Sequence, residues 1–165
     1  MILYHGGTEA VMQPDCKKGR PDLDFGQGFY VTLLQDQAEG FARRKARDRK
    51  GKPVISVYEF DYEAAIEDCV YLNFEFYDEA WLDFVSDNRS GIDRTAGYDL
   101  ICGPVANDDV YQTFILYSTG VYTKEQTIEA LKIKKLYNQY VFTTDRALSF
   151  LTFKEVKYGK ERFDG

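Results

Sequence analysis

Asp24-Phe25-Gly26-Gln27-Gly28-Phe29-Tyr30-Val31-Thr32 is the stretch that sets the fold. Two glycines sit two apart and run straight into an aromatic, β-branched segment. Glycine relieves backbone sterics, so a strand can be entered from a tight bend and another molecule can approach the main chain. Thr32-Leu33-Leu34-Gln35 then has the spacing of a capping box and predicts a helix start. The unit is bend, short strand, helix. Taken alone, it reads first as an ordinary hairpin-to-helix connection. It is not a dinucleotide fingerprint, because the third glycine of G-x-G-x-x-G would fall at Val31.

Upstream, Ile2-Leu3-Tyr4-His5 predicts a short strand ending in Gly6-Gly7, which let the chain turn and leave main-chain groups open to a ligand. His5 is the only histidine. Thr8 to Leu23 reads as a polar loop with Pro14, Gly19 and Pro21, in which Arg20, Asp22 and Asp24 nearby are either ligand-lining or simply solvated.

Downstream, Gln35 to Lys50 is the clearest helix, with Ala38, Phe41, Ala42 and Ala46 on one face. Its last turns carry Arg43, Arg44, Lys45, Arg47, Arg49 and Lys50, which read as a solvated basic face suited to the helix dipole, and Gly51 is a natural stop. Val54–Phe60 and Val70–Phe76 read as strands. Asp61 is placed to cap a helix over residues 62–67, and Asp78 one that runs through Trp81, Leu82 and Val85 as core and ends before Gly91. Residues 99–105 form a buried strand that breaks at Gly103-Pro104, and Asn107, Asp108 and Asp109 are candidate caps for the next helix, which Gly120 ends. Thr123-Lys124-Glu125-Gln126 is a second capping box, opening a helix to about Lys135. Tyr137–Thr144 is a strand, Asp145 caps a short helix, and residues 153–158 close the chain as a strand. Roughly six strands and five helices without βαβ alternation make the class α+β.

At 165 residues the chain is most simply one domain. Its net charge of −6 argues against wholesale nucleic-acid binding through a basic surface, and leaves room for a local basic patch. An aromatic share of 16% supplies flat, semi-polar surfaces for a pocket. No apolar run approaches the roughly 18 residues of a membrane span, and the N-terminus lacks the pattern of a secretory signal. Cys16, Cys69 and Cys102 have no CxxC spacing and read as free thiols of a reducing cytoplasm, with no zinc site.

Three stretches, in order, carry a resemblance: Leu3-Tyr4-His5-Gly6-Gly7, Gly26-Gln27-Gly28-Phe29-Tyr30-Val31-Thr32 and Leu136-Tyr137-Asn138-Gln139-Tyr140-Val141-Phe142. Together they resemble the ADP-ribosyltransferase superfamily in its diphtheria-toxin and poly-ADP-ribose-polymerase branch. The whole sequence also looks like a bacterial family of ADP-ribosyltransferase-like proteins classed as a domain of unknown function, DUF3990. The resemblance implies a split β-sheet core, mixed or antiparallel, with flanking helices and a mainly helical variable region around residues 61–97. It implies NAD as co-substrate, no metal, and an H-Y-Q triad of His5, Tyr30 and Gln139.

On that resemblance His5 would hold the NAD ribose, with Gly6 and Gly7 offering main-chain groups to the nicotinamide amide. Tyr30, entered through Gly28, would stack on the nicotinamide ring, and Phe41 would pack its other face. Arg20 would lie in the loop beside it. Two positions depart from the family: Ala38 replaces a hydroxyl, and Gln139 stands where the catalytic glutamate is expected. Gln139 keeps a hydrogen bond but no charge, and losing one such electrostatic partner costs about 3 kcal/mol in a transition state. Chain elongation is therefore not expected. Slower mono-ADP-ribosyl transfer to a macromolecular or small acceptor is, with Glu125, Asp108 or Asp109 as alternative acids. The alternatives are an NAD glycohydrolase and a catalytically weak NAD- or ADP-ribose-binding module. By analogy with bacterial toxins and effectors, a small antitoxin-like partner protein is a further expectation.

Overall fold

The computed structural model describes residues 1–106 and 108–159. The chain runs β1 (Ile2–Gly7), β2 (Phe29–Thr32), α1 (Gln35–Arg49), β3 (Val54–Phe60), α2 (Tyr62–Asp68), β4 (Tyr71–Asn73), α3 (Glu79–Arg89), β5 (Leu100–Pro104), α4 (Asp108–Ser118), α5 (Lys124–Leu131), β6 (Asn138–Phe142), α6 (Asp145–Leu148) and β7 (Leu151–Tyr158). The strands form one open mixed sheet in the order β4-β5-β6-β2-β1-β3-β7. Only the β4–β5 edge pair is parallel; every other neighbouring pair is antiparallel.

Alternation along the strands sorts the core onto two faces. Leu3, Phe29, Val31, Tyr58, Phe60, Leu100, Cys102, Tyr140 and Phe142 share one face, packed with Ala65 of α2 and Ala147 of α6. The other face holds two clusters. Ile101, Val141 and Tyr30 pack under α3, α4 and α5 through Trp81, Leu82, Val85, Val110, Phe114 and Leu131. Ile55 and Val57, with Ile2 and Tyr4, pack under Ala38 of α1. The second face thus carries α3, α4 and α5 over its β5–β6–β2 side and α1 over its β1–β3 side.

Several local expectations are corrected. The described residues contain seven strands and six helices, one more of each than the rough count, and β4 and α6 fall within the strand expected over Val70–Phe76 and the short helix expected at Asp145. The strand expected from Phe25 begins only at Phe29, since Gly26 takes φ +70° and bends the chain first. Thr32 makes no capping box: the N-cap is Leu34, and Thr32 Oγ1 instead accepts from Leu34 N (3.2 Å) and donates to Gln37 Oε1 (2.5 Å). Gln35 is drawn away to Lys157 on β7 (3.0 Å). At the other end Lys50, not Gly51, takes the left-handed turn, and Gly51 N donates to Ala46 O. Thr144 rather than Asp145 caps α6, and β7 starts at Leu151. The helix opened at Thr123 ends at Leu131, short of Lys135.

The caps at Asp61 and Asp78 and the Thr123–Gln126 capping box form as expected. Asn107 lies outside the described residues, as do the side chains of Asp108 and Asp109, so their expected capping or acid roles are not placed. The three cysteines are free and buried, and among the described residues no helix is long and apolar enough to cross a membrane.

Candidate functional site

The narrowest join in the sheet lies between β1 and β2. They share one residue pair, Tyr4 with Thr32, while β1 pairs with β3 from Ile2 to Gly7. The hydrogen-bond parity shows what is released. Phe60 N donates to Met1 O (2.7 Å), so Met1, Leu3, His5 and Gly7 bond toward β3. Tyr4 and Gly6 therefore turn their main-chain groups toward β2. Continuing the register would set Gly6 opposite Tyr30, but that pair does not form. Instead the His5 ring spans the seam, and its Nδ1 lies 2.8 Å from the Tyr30 carbonyl oxygen. A carbonyl can only accept, so Nδ1 carries the proton and Nε2 is left as an acceptor. The Gly6 N–H and C=O thus lie on the β2 side of β1 at a position where the ladder does not continue, and Gly6 itself is buried.

His5 is half-buried and stacks on Phe29 with ring centroids 4.5 Å apart. Burial pulls its pKa down to about 4; the Tyr30 carbonyl opposes this and the nearby charge of Lys45 adds to it. The imidazole is therefore neutral at pH 7. Glycine is required at position 6 for a different reason: a Cβ there would meet Ala38 O of α1 at 2.0 Å. Gly7 is roomier, with His5 Nε2 its nearest neighbour at 3.7 Å.

Tyr30 lies on the opposite face of the sheet from the His5 ring, packed at the edge of the α3–α5 cluster. The two expected partners thus meet through Tyr30's carbonyl and not through its phenol. The phenol donates to Gly26 O (2.6 Å) and accepts from Phe25 N (3.1 Å), which closes the glycine bend. Burial, then the charge of Asp24, raises its pKa far above the ordinary value, so it supplies a ring and not a base. Gln139 pairs with Thr32 on one side and Gly103 on the other, one pleat along from Tyr30 on the same face. It is partly buried.

Phe41 sits on α1 but off its buried face. Ala38, Ala42 and Ala46 are buried, whereas Phe41 is 41% exposed, with Lys45 Nζ 4.8 Å and Arg44 Cζ 5.7 Å from its ring centre. Arg20 is an exposed loop residue, 3.8 Å from Asp22. Gly28 is held small by β6, since a Cβ would meet Val141 Cγ1 at 2.6 Å. Asp24 lines no opening: it is buried, ion-paired to Arg89, and accepts from Ala106 N (2.9 Å). Glu125 is exposed in the first turn of α5. The expected loop over residues 8–23 is tied down by Val11, which donates to Ser56 Oγ and accepts from the Tyr58 hydroxyl, and by Gln27 bonding Lys17 O and Gly19 O.

A family model described as "Protein of unknown function (DUF3990)" matches residues 1–153. The chain belongs to the DUF3990 family. No curated protein and no solved structure matches it.

In this DUF3990 member the seam brings His5, Gly6 and the Tyr30 main chain together, with Gln139 one pleat away and Phe41 on the helix flank. Arg20 and Gly28 stand outside that nucleus. No group of three or more acidic, histidine or cysteine residues that could hold a metal occurs among the described residues. A separate hollow of about 660 Å³ lies between α3 and α4, lined by Arg89, Tyr111, Phe114 and Lys124 among others, and contains none of these residues. The residue missed from sequence is Lys45. It was merged with a solvated basic run, yet its i, i+4 relation to Phe41 places it on the flank above the seam.

Proposed function

We propose that this DUF3990 protein is an NAD-dependent mono-ADP-ribosyltransferase, moving ADP-ribose to an acceptor with release of nicotinamide. The observation that carries the reading is the opened β1–β2 seam. Gly6 presents one donor and one acceptor side by side, which matches the two hydrogen-bonding groups of a carboxamide. Tyr30 and Phe41 supply aromatic surfaces on the strand and helix beside it. His5 Nε2 is an acceptor suited to a ribose hydroxyl.

The residues also bear on rate. Breaking the nicotinamide–ribose bond sends its electron pair to the leaving nicotinamide and builds positive charge on the ribose. The acceptor's nucleophile then bonds to the same carbon. Gln139 can hold a ribose hydroxyl but offers no counter-charge, and it cannot take a proton as a general base. Neutral His5 adds no opposing positive charge. Turnover should therefore be slow, with the acceptor contributing its own base.

The uncharged Gln139 also favours a second reading, a binding module for NAD or ADP-ribose. NAD labelled separately in its nicotinamide and adenylate halves distinguishes the outcomes. Free nicotinamide with adenylate label on a macromolecule means transfer. Free nicotinamide with free ADP-ribose means hydrolysis. Retention of both labels on the protein as intact NAD means binding alone.

A further inference from the structure

We propose that the hollow between α3 and α4 is a second ligand site, taking an uncharged heterocycle of the nucleobase class, as in a free nucleoside. The site goes beyond the NAD reading and does not depend on it, because the hollow contains none of the seam residues.

The hollow measures about 660 Å³, a size that suits a small-molecule site. Its walls carry rings. Arg89 reaches in from α3, its Cζ 4.7 Å from the Phe114 ring centre and 5.4 Å from that of Tyr111. Tyr111 is 43% exposed and keeps ring surface open, and Tyr117 and Tyr122 add two partly buried rings. Flat heterocycles stack on such rings whatever their identity.

The polar groups of the hollow point to the same class. Arg89 is held in place, since its Nε (2.6 Å) and Nη2 both donate to Asp24 Oδ1. Asp24 is itself fixed through its other oxygen, which accepts from Ala106 N at 2.9 Å. The Nη1 edge of Arg89 keeps its donors, with no partner among the described residues and in a preorganised position. Ser86 Oγ lines the same hollow, closed to solvent and without a hydrogen-bond partner among the described residues. A buried hydroxyl in that state calls for a polar group from outside the chain. The edge of a base offers acceptors and donors in one plane and meets both needs.

Charge selects against an anion. Arg89 is neutralised by Asp24, and Lys124 by Glu79 (3.2 Å) and Asp83 (2.8 Å). Two cations therefore face three carboxylates, and a phosphate entering the hollow would meet like charge.

The test titrates wild type, Tyr111→Ala and Ser86→Ala with adenosine, guanosine, cytidine, AMP and methyl glucoside, alongside thermal melts. Wild type is expected to bind at least one nucleoside, and AMP no more tightly than adenosine. That affinity should fall about tenfold in Tyr111→Ala and about fivefold in Ser86→Ala. Ser86→Ala should melt no lower than wild type, because its hydroxyl bonds nothing in the folded chain. Failure of all three nucleosides to bind would overturn the proposal, as would nucleoside affinity unchanged in both variants. Binding of methyl glucoside alone would overturn the ligand class, and tighter binding of AMP than of adenosine would overturn the selection against an anion. A lower melting temperature in Ser86→Ala would give the hydroxyl a structural partner and overturn its part in the site.

Discussion

His5 and Tyr30 are joined by a hydrogen bond from an imidazole N–H to a backbone carbonyl, 2.8 Å long, at the point where the β1–β2 ladder stops. The side chain of one strand replaces the main chain of its neighbour, and the displaced groups are those of Gly6. The same bond sets the imidazole tautomer and shares in holding the two parts of the sheet together.

Burial of this imidazole, only partly offset by the hydrogen bond, makes stability depend on pH. The folded pKa of His5 is lowered to about 4 from an ordinary 6.5. The folded state therefore binds fewer protons than the unfolded chain between those values, and stability falls as pH drops through that window. The effect is at most about 3 kcal/mol. Urea unfolding of wild type and His5→Gln between pH 7 and pH 4 should show a steeper acid loss for wild type. Parallel curves would contradict a buried neutral imidazole.

Gly6→Ala should be strongly destabilising, because its Cβ would fall 2.0 Å from Ala38 O and push α1 off the sheet. The expected cost is about 3 kcal/mol or more. Gly7→Ala, with no neighbour closer than 3.7 Å, should cost far less. Equal denaturation midpoints for the two variants would mean that α1 does not press on Gly6.

Asp24→Ala should cost about 3 kcal/mol, since it leaves Arg89 without its ion pair and Ala106 N without its acceptor. The glycine bend that closes on the Tyr30 phenol should loosen with it. Fluorescence of Trp81, the only tryptophan, follows unfolding beside α3. A neutral effect would remove Asp24 as the anchor of this corner.

Gln139→Glu should raise nicotinamide release, by up to about a hundredfold, by restoring a negative charge beside the ribose. NAD affinity should change little. If release stays flat while NAD still binds, Gln139 is not at the reacting ribose.

Much of the fold was legible in the sequence because its signals are local. Helical spacing at Ala38, Ala42 and Ala46, and the side-chain caps at Asp61, Asp78 and Thr123, depend on residues a few positions apart. Where a distant partner competes, the local signal fails. Gln35 bonds Lys157 of β7 instead of closing a box on Thr32, and Asp24 pairs with Arg89 instead of lining a ligand. The candidate site divides in the same way. His5, Gly6 and Tyr30 could be picked from their order in the chain, but their union through a backbone carbonyl follows from strand register, which the sequence does not display. Arg43 and Lys45 were hidden among neighbouring cations, and only tertiary packing separates these partly buried ones from the solvated ones.

The central claim is an NAD site at the seam, and nicotinamide release from NAD by wild type, His5→Ala and Tyr30→Ala tests it most directly. Slow release by wild type that is lost in both variants, each still folded, is the predicted result. Release that persists unchanged in both would contradict the account, as would a folded wild type that neither releases nicotinamide nor binds NAD on titration.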